Sequence, residues 1–496
     1  MRRAHVLVAA VVAVLLGVPA PVAASGGPGR TLTGALDRIL ARPELAGATI
    51  AVDVRDAAGA VVYQRNPGLR VLPASNQKLL TAAAALEVLG PGHRFRTTVR
   101  ACGGDLHLRG EGDPTLTVAR FDRLAAAVAQ RRKLFSGRLV VDDTWFDRVP
   151  LGLDWSWEDE SFGYTAAVSA LTFAANDRFD TGAVEIRYRG AAGRRPSVTV
   201  WPPTRSVRVV NRAVTGRGDS VSAVRAHGGR TVTVTGSVAP GRSGTTLVSV
   251  PDPAVTAAGV FRAALRRHGV TVAGRTVRGP SPGTARALAT RVSAPLREIL
   301  RPFLKFSHNG IAEILVKAMG RAATPARPGS WPTGLAAATA ALGRLGVDTR
   351  LLTMGDGSGL SRRNWVTARQ LTTLLTAARR RPWFPAFRAA LPVAGAADPL
   401  VGGTLSHRMR GTAAAGHVRA KTGTLTGVNA LSGYVTTRDG RLLTFAALIN
   451  GALAGAGPTL DRVAVALAES TGPPGGQSSG RKAAAMGATV SQPRVR

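Results

Sequence analysis

The chain has 496 residues, of which 65 are Lys or Arg and 29 are Asp or Glu, giving a formal net charge of +36. A hydrophobic fraction of 45% is enough for a sizeable core and excludes a wholly disordered chain, and the single cysteine, Cys102, excludes an intramolecular disulfide. The arginines are scattered, with no zinc-ligand spacing and no aromatic-basic RNA signature, so the charge by itself does not argue for nucleic-acid binding.

Arg2 and Arg3 precede an apolar run over 6–18 and then Val22-Ala23-Ala24, the pattern of a signal peptide cut after Ala24. That run is too short to span a bilayer, and no later stretch of 18 or more apolar residues reads as a transmembrane helix. A first helix is expected over 32–40, then strands over 49–54 and 61–64 around an Ala-Gly turn. Ser75-Asn76-Gln77-Lys78 heads an Ala- and Leu-rich helical run over 79–89 that stops at Gly90. Asp154, Glu158, Asp159 and Glu160 form a local acidic cluster beside Trp155 and Trp157, against the basic background. Period-2 patterns over 184–188, 198–201, 207–210, 231–235 and 245–250 predict strands, and Asp252-Pro253 opens a helix that ends near Gly269.

Further on, helical patterns over 295–304 and 311–319 flank Ser307-His308-Asn309, which suits a loop presenting a hydroxyl and an amide. Gly357-Ser358-Gly359 reads as a tight turn. Lys421-Thr422-Gly423-Thr424 leads into strands over 430–436 and 442–449 that flank Asp439-Gly440, a strong hairpin signal. A last helix is expected over 460–468, and from residue 471 Pro, Gly, Ser and Gln predict a disordered tail.

Sheet sequence at both ends of the chain, with helices between, predicts one α/β (α+β) core built from N- and C-terminal segments. Ser75 and Ser307 lie roughly 230 positions apart, too far for a loop, so the gap holds inserted accessory domains rich in β. The expected division starts with a signal peptide over 1–24, a first catalytic segment over 25–96 and a first accessory segment over 97–170. A nested β-rich accessory domain over 171–268 and a second accessory segment over 269–290 follow. A second catalytic segment over 291–470 and a disordered tail over 471–496 complete the chain.

The three short strings carry the chemistry. A serine hydroxyl is a weak nucleophile at its free pKa and needs a nearby base. Residues three apart share a helix face, so Lys78 stands beside Ser75 and can take its proton if its amine is kept neutral. On a strand, Lys421 and Gly423 share one face, and Thr422 and Thr424 the other. A cation there suits a substrate carboxylate, and Gly423 lets a backbone come close. A second S-x-x-K, Ser479 to Lys482, falls in the tail and reads as chance.

In that order the strings are the signature of serine enzymes that bind penicillin. Gly110-Glu111-Gly112-Asp113-Pro114-Thr115-Leu116, Ser169-Ala170-Leu171, Asp356 to Leu360, Leu391 to Gly395 and the run 411–433 extend the match. Over roughly 32–468 the chain resembles the type-4 low-molecular-mass penicillin-binding proteins, a D-alanyl-D-alanine carboxypeptidase/endopeptidase family. His308 to Ile311 is a mild departure, because a bulkier residue often follows the Asn there. The resemblance implies a serine transpeptidase/β-lactamase-like domain, its antiparallel sheet flanked by helices. Ser75 would attack, Lys78 would accept the proton, and the N–H groups of Ser75 and Thr424 would form the oxyanion hole. Lys421 and Thr424 would bind the terminal carboxylate, with Thr422, Gly423 and Thr426 in the same substrate-binding run. Ser307 and Lys421 would pass a proton to the leaving D-alanine, and Asn309 would orient the substrate amide. Asp159 would bind the free amino end of the stem peptide's diamino acid, with Tyr164 and Arg362 beside it.

No metal or organic cofactor is implied. The expected partners are peptidoglycan stem peptides and β-lactams as covalent inhibitors, outside the cytoplasmic membrane, with no nucleic acid. The positive charge has two readings: a GC-rich coding bias, or attraction to anionic wall polymers. Two other functions stay open at this level: a β-lactamase or related serine esterase, and a non-catalytic wall-binding protein. The long insertion argues against the first, and intact Ser75, Lys78 and Lys421 against the second. Lys305 reads either as a solvated cation or as a modulator of the site's charge, and His308 as a bystander.

Overall fold

In the computed structural model, which describes residues 31–472, an N-terminal and a C-terminal segment of the described chain meet in one antiparallel sheet. Its strand order is Val418–Leu425, Val428–Thr436, Leu442–Asn450, Thr49–Arg55, Val61–Arg65. The register sets Thr49 against Asn450 and Lys421 against Ser432. The Asp439-Gly440 turn closes the hairpin, with Gly440 at φ +81° where a side chain would be strained. The expected signal peptide, most of the tail and the second S-x-x-K lie outside the described residues.

The sheet is buried on both faces. Along Leu442–Asn450, Leu443, Phe445, Ala447 and Ile449 pack with the terminal helices Leu32–Leu40 and Gly457–Glu469, while Ala446 and Leu448 pack with the central helices. The helix Gln77–Val88 lies among the latter and is buried at every position from Gln77 to Leu86. A helix that is apolar nearly all round belongs inside a core. It packs on Asn309–Ala323 and Trp331–Arg344, which brings the first two strings together.

The insertion forms further layers. A second five-stranded sheet has the order Thr276–Arg278, Leu139–Asp142, Asp105–Gly110, Arg96–Cys102, Arg286–Val292. Strands between Ala183 and Ser249 make two smaller sheets: Ser243–Ser249, Ala183–Ala191, Arg194–Trp201, and a four-stranded one around Thr231–Val238. The helix Pro253–Arg267 starts as expected, its Asp252 side chain accepting from Val255 N at 3.0 Å. It packs on the helix Val118–Ala129, and the two share one core with both sets of strands.

Candidate active site

Ser75 sits in a single 3₁₀ turn, Ala74–Asn76, directly before the helix Gln77–Val88. Ala74 is fully buried at φ +46°, a left-handed conformation that a non-glycine residue adopts only when its surroundings impose it. The imposing neighbour is Gly359, where an added Cβ would lie 1.9 Å from the Ala74 carbonyl oxygen. The Asp356 to Leu360 turn therefore backs the nucleophile turn.

Lys78 is fully buried. Its Nζ lies 2.8 Å from Ser75 Oγ, 2.6 Å from Asn309 Oδ1 and 2.7 Å from the Ser358 carbonyl. Burial pulls its pKa down to about 7, with the Asp356 and Glu313 carboxylates acting in the opposite sense. A neutral amine has two hydrogens and one lone pair. Asn309 Oδ1 and Ser358 O can only accept, so they take both hydrogens and the lone pair is left facing the Ser75 hydroxyl.

Two buried carboxylates hold the turn that supplies Ser358 O. Asp356 accepts from Gly359 N at 2.7 Å, Ser361 N at 2.7 Å, Asn364 Nδ2 at 2.8 Å and Trp155 Nε1 at 2.9 Å. Glu313 accepts from Ser358 N at 2.7 Å, Gly357 N at 3.0 Å and Trp331 Nε1 at 2.8 Å, while burial and then the Asp356 charge push its pKa up. Sequence reasoning reaches Asp356 only as a member of a matching string and passes over Glu313. The Asp-Gly-Ser-Gly run was the available signal for the first; a glutamate within an apolar helix was the signal for the second.

The third string closes the site. Lys421 Nζ donates to Ser307 Oγ at 2.8 Å and to the Thr422 carbonyl at 2.9 Å. Burial and the neighbouring Lys78 lower its pKa well below the lysine range. Ser307 is at φ +61°, a second strained residue at the site. Asn309 opens the helix Asn309–Ala323, and its Nδ2 donates to the Tyr164 carbonyl at 2.8 Å. One N–H and one lone pair of that amide remain for a substrate. Gly423 makes room for the nucleophile turn: an added Cβ would meet Pro73 O at 2.7 Å and Asn76 Nδ2 at 3.1 Å. Thr422 Oγ1 bonds Thr404 Oγ1 at 2.9 Å. Val418–Leu425 is the edge strand of its sheet, and Ala420 N donates off that edge to Pro392 O at 3.0 Å. Backbone N–H groups alternate between the two sides of a strand, so those of Thr422 and Thr424 share the free edge.

The remaining predicted residues lie at the rims. A cleft of about 220 Å³ opens between Tyr164, Phe162, Thr181, Ser307 and His308. The Tyr164 hydroxyl donates to Asp159 Oδ1 at 2.7 Å, and its ring stacks on Phe162. The acidic residues around Asp159 do not act as one cluster. Asp154 pairs with Arg363, and Glu160 with Arg225 at 2.9 Å. Trp157 is 66% exposed and packs edge-on to His227. Arg362 donates to the Thr426 carbonyl at 3.2 Å. His308 Nδ1 pairs with Asp180 Oδ1 at 3.2 Å. Lys305 is not solvated. It is buried, donates to the Leu391 carbonyl and at 2.6 Å to the Val401 carbonyl, and its pKa is lowered to about 7 by burial and by Arg419 and Arg301. Among the described residues no group of three or more His, Cys, Asp or Glu is arranged to hold a metal ion.

An antiparallel sheet between helices, with a serine and two pKa-depressed lysines at its edge, defines a penicillin-binding type of serine hydrolase. The sequence model described as the D-Ala-D-Ala carboxypeptidase 3 (S13) family matches residues 32–470, and the chain belongs to that family. The chain is 46% identical over 479 residues to the D-alanyl-D-alanine carboxypeptidase of Actinomadura sp. (strain R39), covering 92% of this chain and 88% of that protein. It is 33% identical to carboxypeptidase DacB of Mycolicibacterium smegmatis, covering 89% and 86%. The fold matches the crystal structure of penicillin-binding protein 4 (dacB) from Haemophilus influenzae with a TM-score of 0.73 at 24% identity, over 86% of this chain and 97% of that one. A second structure of that protein, complexed with a novel β-lactam, matches with a TM-score of 0.68.

Proposed function

We infer that this D-Ala-D-Ala carboxypeptidase works through an acyl-enzyme on Ser75, formed with neutral Lys78 as the base. The observation that carries the reading is the buried Lys78 amine, whose Nζ lies 2.8 Å from Ser75 Oγ and is held by Asn309 Oδ1 at 2.6 Å and Ser358 O at 2.7 Å, two groups that can only accept. Ser75 Oγ attacks the carbonyl of the penultimate D-alanine, and its proton moves to Lys78 Nζ. The oxyanion is held by the N–H groups of Ser75 and Thr424, the latter on the free strand edge. As the C–N bond breaks, the proton that Lys78 took from Ser75 is relayed by way of Ser307 and Lys421, in contact at 2.8 Å, to the leaving D-alanine amine, so both lysines end as they began. Water then hydrolyses the ester. A substrate carboxylate at Thr424 and Lys421 would favour the charged form of Lys421, which its unliganded surroundings oppose.

The substrates in this reading are peptidoglycan stem peptides met outside the cytoplasmic membrane, and β-lactams acylate the same serine. Release of D-alanine from a stem pentapeptide ending in D-Ala-D-Ala tests it. The native chain should release one D-alanine per peptide, and Ser75→Ala none above background. D-Alanine release that survives the substitution would refute the assignment of Ser75.

A further inference from the structure

The insertion carries a feature that peptidase chemistry does not use. A groove of about 530 Å³ runs between the outer face of the helix Pro253–Arg267 and the loop that precedes the strand Arg208–Asn211. Its floor is made of small, exposed residues, Val255, Gly259 and Ala263. At helical spacing Arg262 and Arg266 rise on that same face. Arg205 and Arg230 line the opposite side, and no carboxylate lines the groove.

None of these four arginines has an acidic partner among the described residues. The carboxylates nearby are already engaged by other arginines: Arg267 holds Asp122 at 2.9 Å and Arg278 holds Asp252 at 2.9 Å. Two of the four are fixed in place by backbone carbonyls. Arg262 donates to Val272 O at 2.9 Å and Gly274 O at 2.8 Å, and Arg230 to Ser206 O at 3.2 Å and Arg205 O at 2.6 Å. Arg262 Nε is buried without a partner. Burial and the adjacent Arg266 disfavour the charged form of Arg262, a penalty that a bound anion relieves.

Guanidinium forks match the paired oxygens of phosphate groups. No aromatic side chain lines the groove, so there is no platform on which nucleobases would stack. We propose that this groove binds a linear phosphodiester polymer of the polyol-phosphate kind, held between Arg205 and Arg230 on one side and Arg262 and Arg266 on the other. The site is independent of Ser75 and does not rest on the peptidase reading.

The test uses the full chain and an end-labelled poly(glycerol phosphate) oligomer, with fluorescence anisotropy followed as salt rises. Arg205→Gln/Arg266→Gln removes two exposed groove arginines, and Arg194→Gln/Arg217→Gln removes the same charge from exposed positions elsewhere. The groove double variant should bind about tenfold or more weakly at low salt, with a salt slope shallower by about 0.7 per lost contact. The control should change less than about twofold, and both variants should release D-alanine from a small peptide at the native rate, which shows that they fold. Equal weakening in the two double variants, or unchanged binding in the groove variant, would overturn the site. Tighter binding of single-stranded DNA with the same number of phosphates would overturn the polymer class.

Discussion

If Lys78 takes the Ser75 proton as a neutral amine, the rate of acylation must follow the neutral fraction of that amine. With its pKa lowered to about 7, the fraction is about nine-tenths at pH 8, about half at pH 7 and about one-hundredth at pH 5. The second-order rate of acylation by benzylpenicillin should therefore fall by roughly 90-fold between pH 8 and pH 5, about tenfold per unit at the acid end. Stopped-flow or quench measurements of adduct formation across that range, at constant ionic strength, give the profile directly. Lys78→Met should lose the acid limb together with at least about 10²–10⁴-fold of the rate. The same shift has a signature in stability. Below about pH 7 both folded and unfolded Lys78 are protonated, and the folded state carries the full cost of burying the charge. Between about 7 and the unfolded value of 10.5 only the unfolded chain holds the proton, so Lys78 makes folding more favourable as pH rises. The gain is at most about 1.4 kcal/mol per unit and is absent from Lys78→Met. A flat acylation rate from pH 5 to 8, or an unchanged acid limb in Lys78→Met, would refute a neutral Lys78 as the base.

Other substitutions probe the surroundings of the site. Asp159→Asn should cut kcat/KM about 10–100-fold on a peptide with a free side-chain amine at stem position three, the value of one charge-assisted hydrogen bond. It should barely change kcat/KM on the acetylated peptide or the rate of penicillin acylation, and equal losses on both peptides would make Asp159 structural. Gly359→Ala places a Cβ against the Ala74 carbonyl at φ +91°, so it should lower the melting temperature and slow acylation more than about tenfold, because backbone strain alone costs about 1–3 kcal/mol; a variant with native acylation would show that this turn does not set Ser75. Lys305, whose pKa is lowered from 10.5 to about 7, should make the native chain gain stability relative to Lys305→Met as pH rises through that window, measured by denaturant unfolding at several pH values; a difference independent of pH would contradict its buried, neutral state.

Much of this site is local enough to be written in the sequence. Ser75 and Lys78 meet because three residues are nearly one helical turn, and the Asp439-Gly440 hairpin and the Asp252 cap are likewise short-range. The strands over 183–250 were visible because one face of each is half-exposed and alternates. The second five-stranded sheet was not, since Arg96–Cys102 and Arg286–Val292 mix Arg, Thr and Ala without a clear period of two, and although Asp105–Gly110 is the hairpin neighbour of Arg96–Cys102, its other partner, Arg286–Val292, comes from far along the chain. Lys305 looked like any surface lysine, and only the fold puts it under the Leu391 and Val401 carbonyls. The acidic residues near Trp157 are adjacent in sequence but leave toward different elements. Charge clustering along a chain does not predict clustering in space when the segment is made of short turns.

The central claim is that Ser75 carries the acyl group. Intact-mass measurement after incubation with benzylpenicillin, followed by peptide mapping, tests it most directly. One penicilloyl group per chain should be found, on the peptide that contains Ser75, and none should form on Ser75→Ala. A single adduct mapped to Ser307 or Ser479, or labelling that persists in Ser75→Ala, would contradict it.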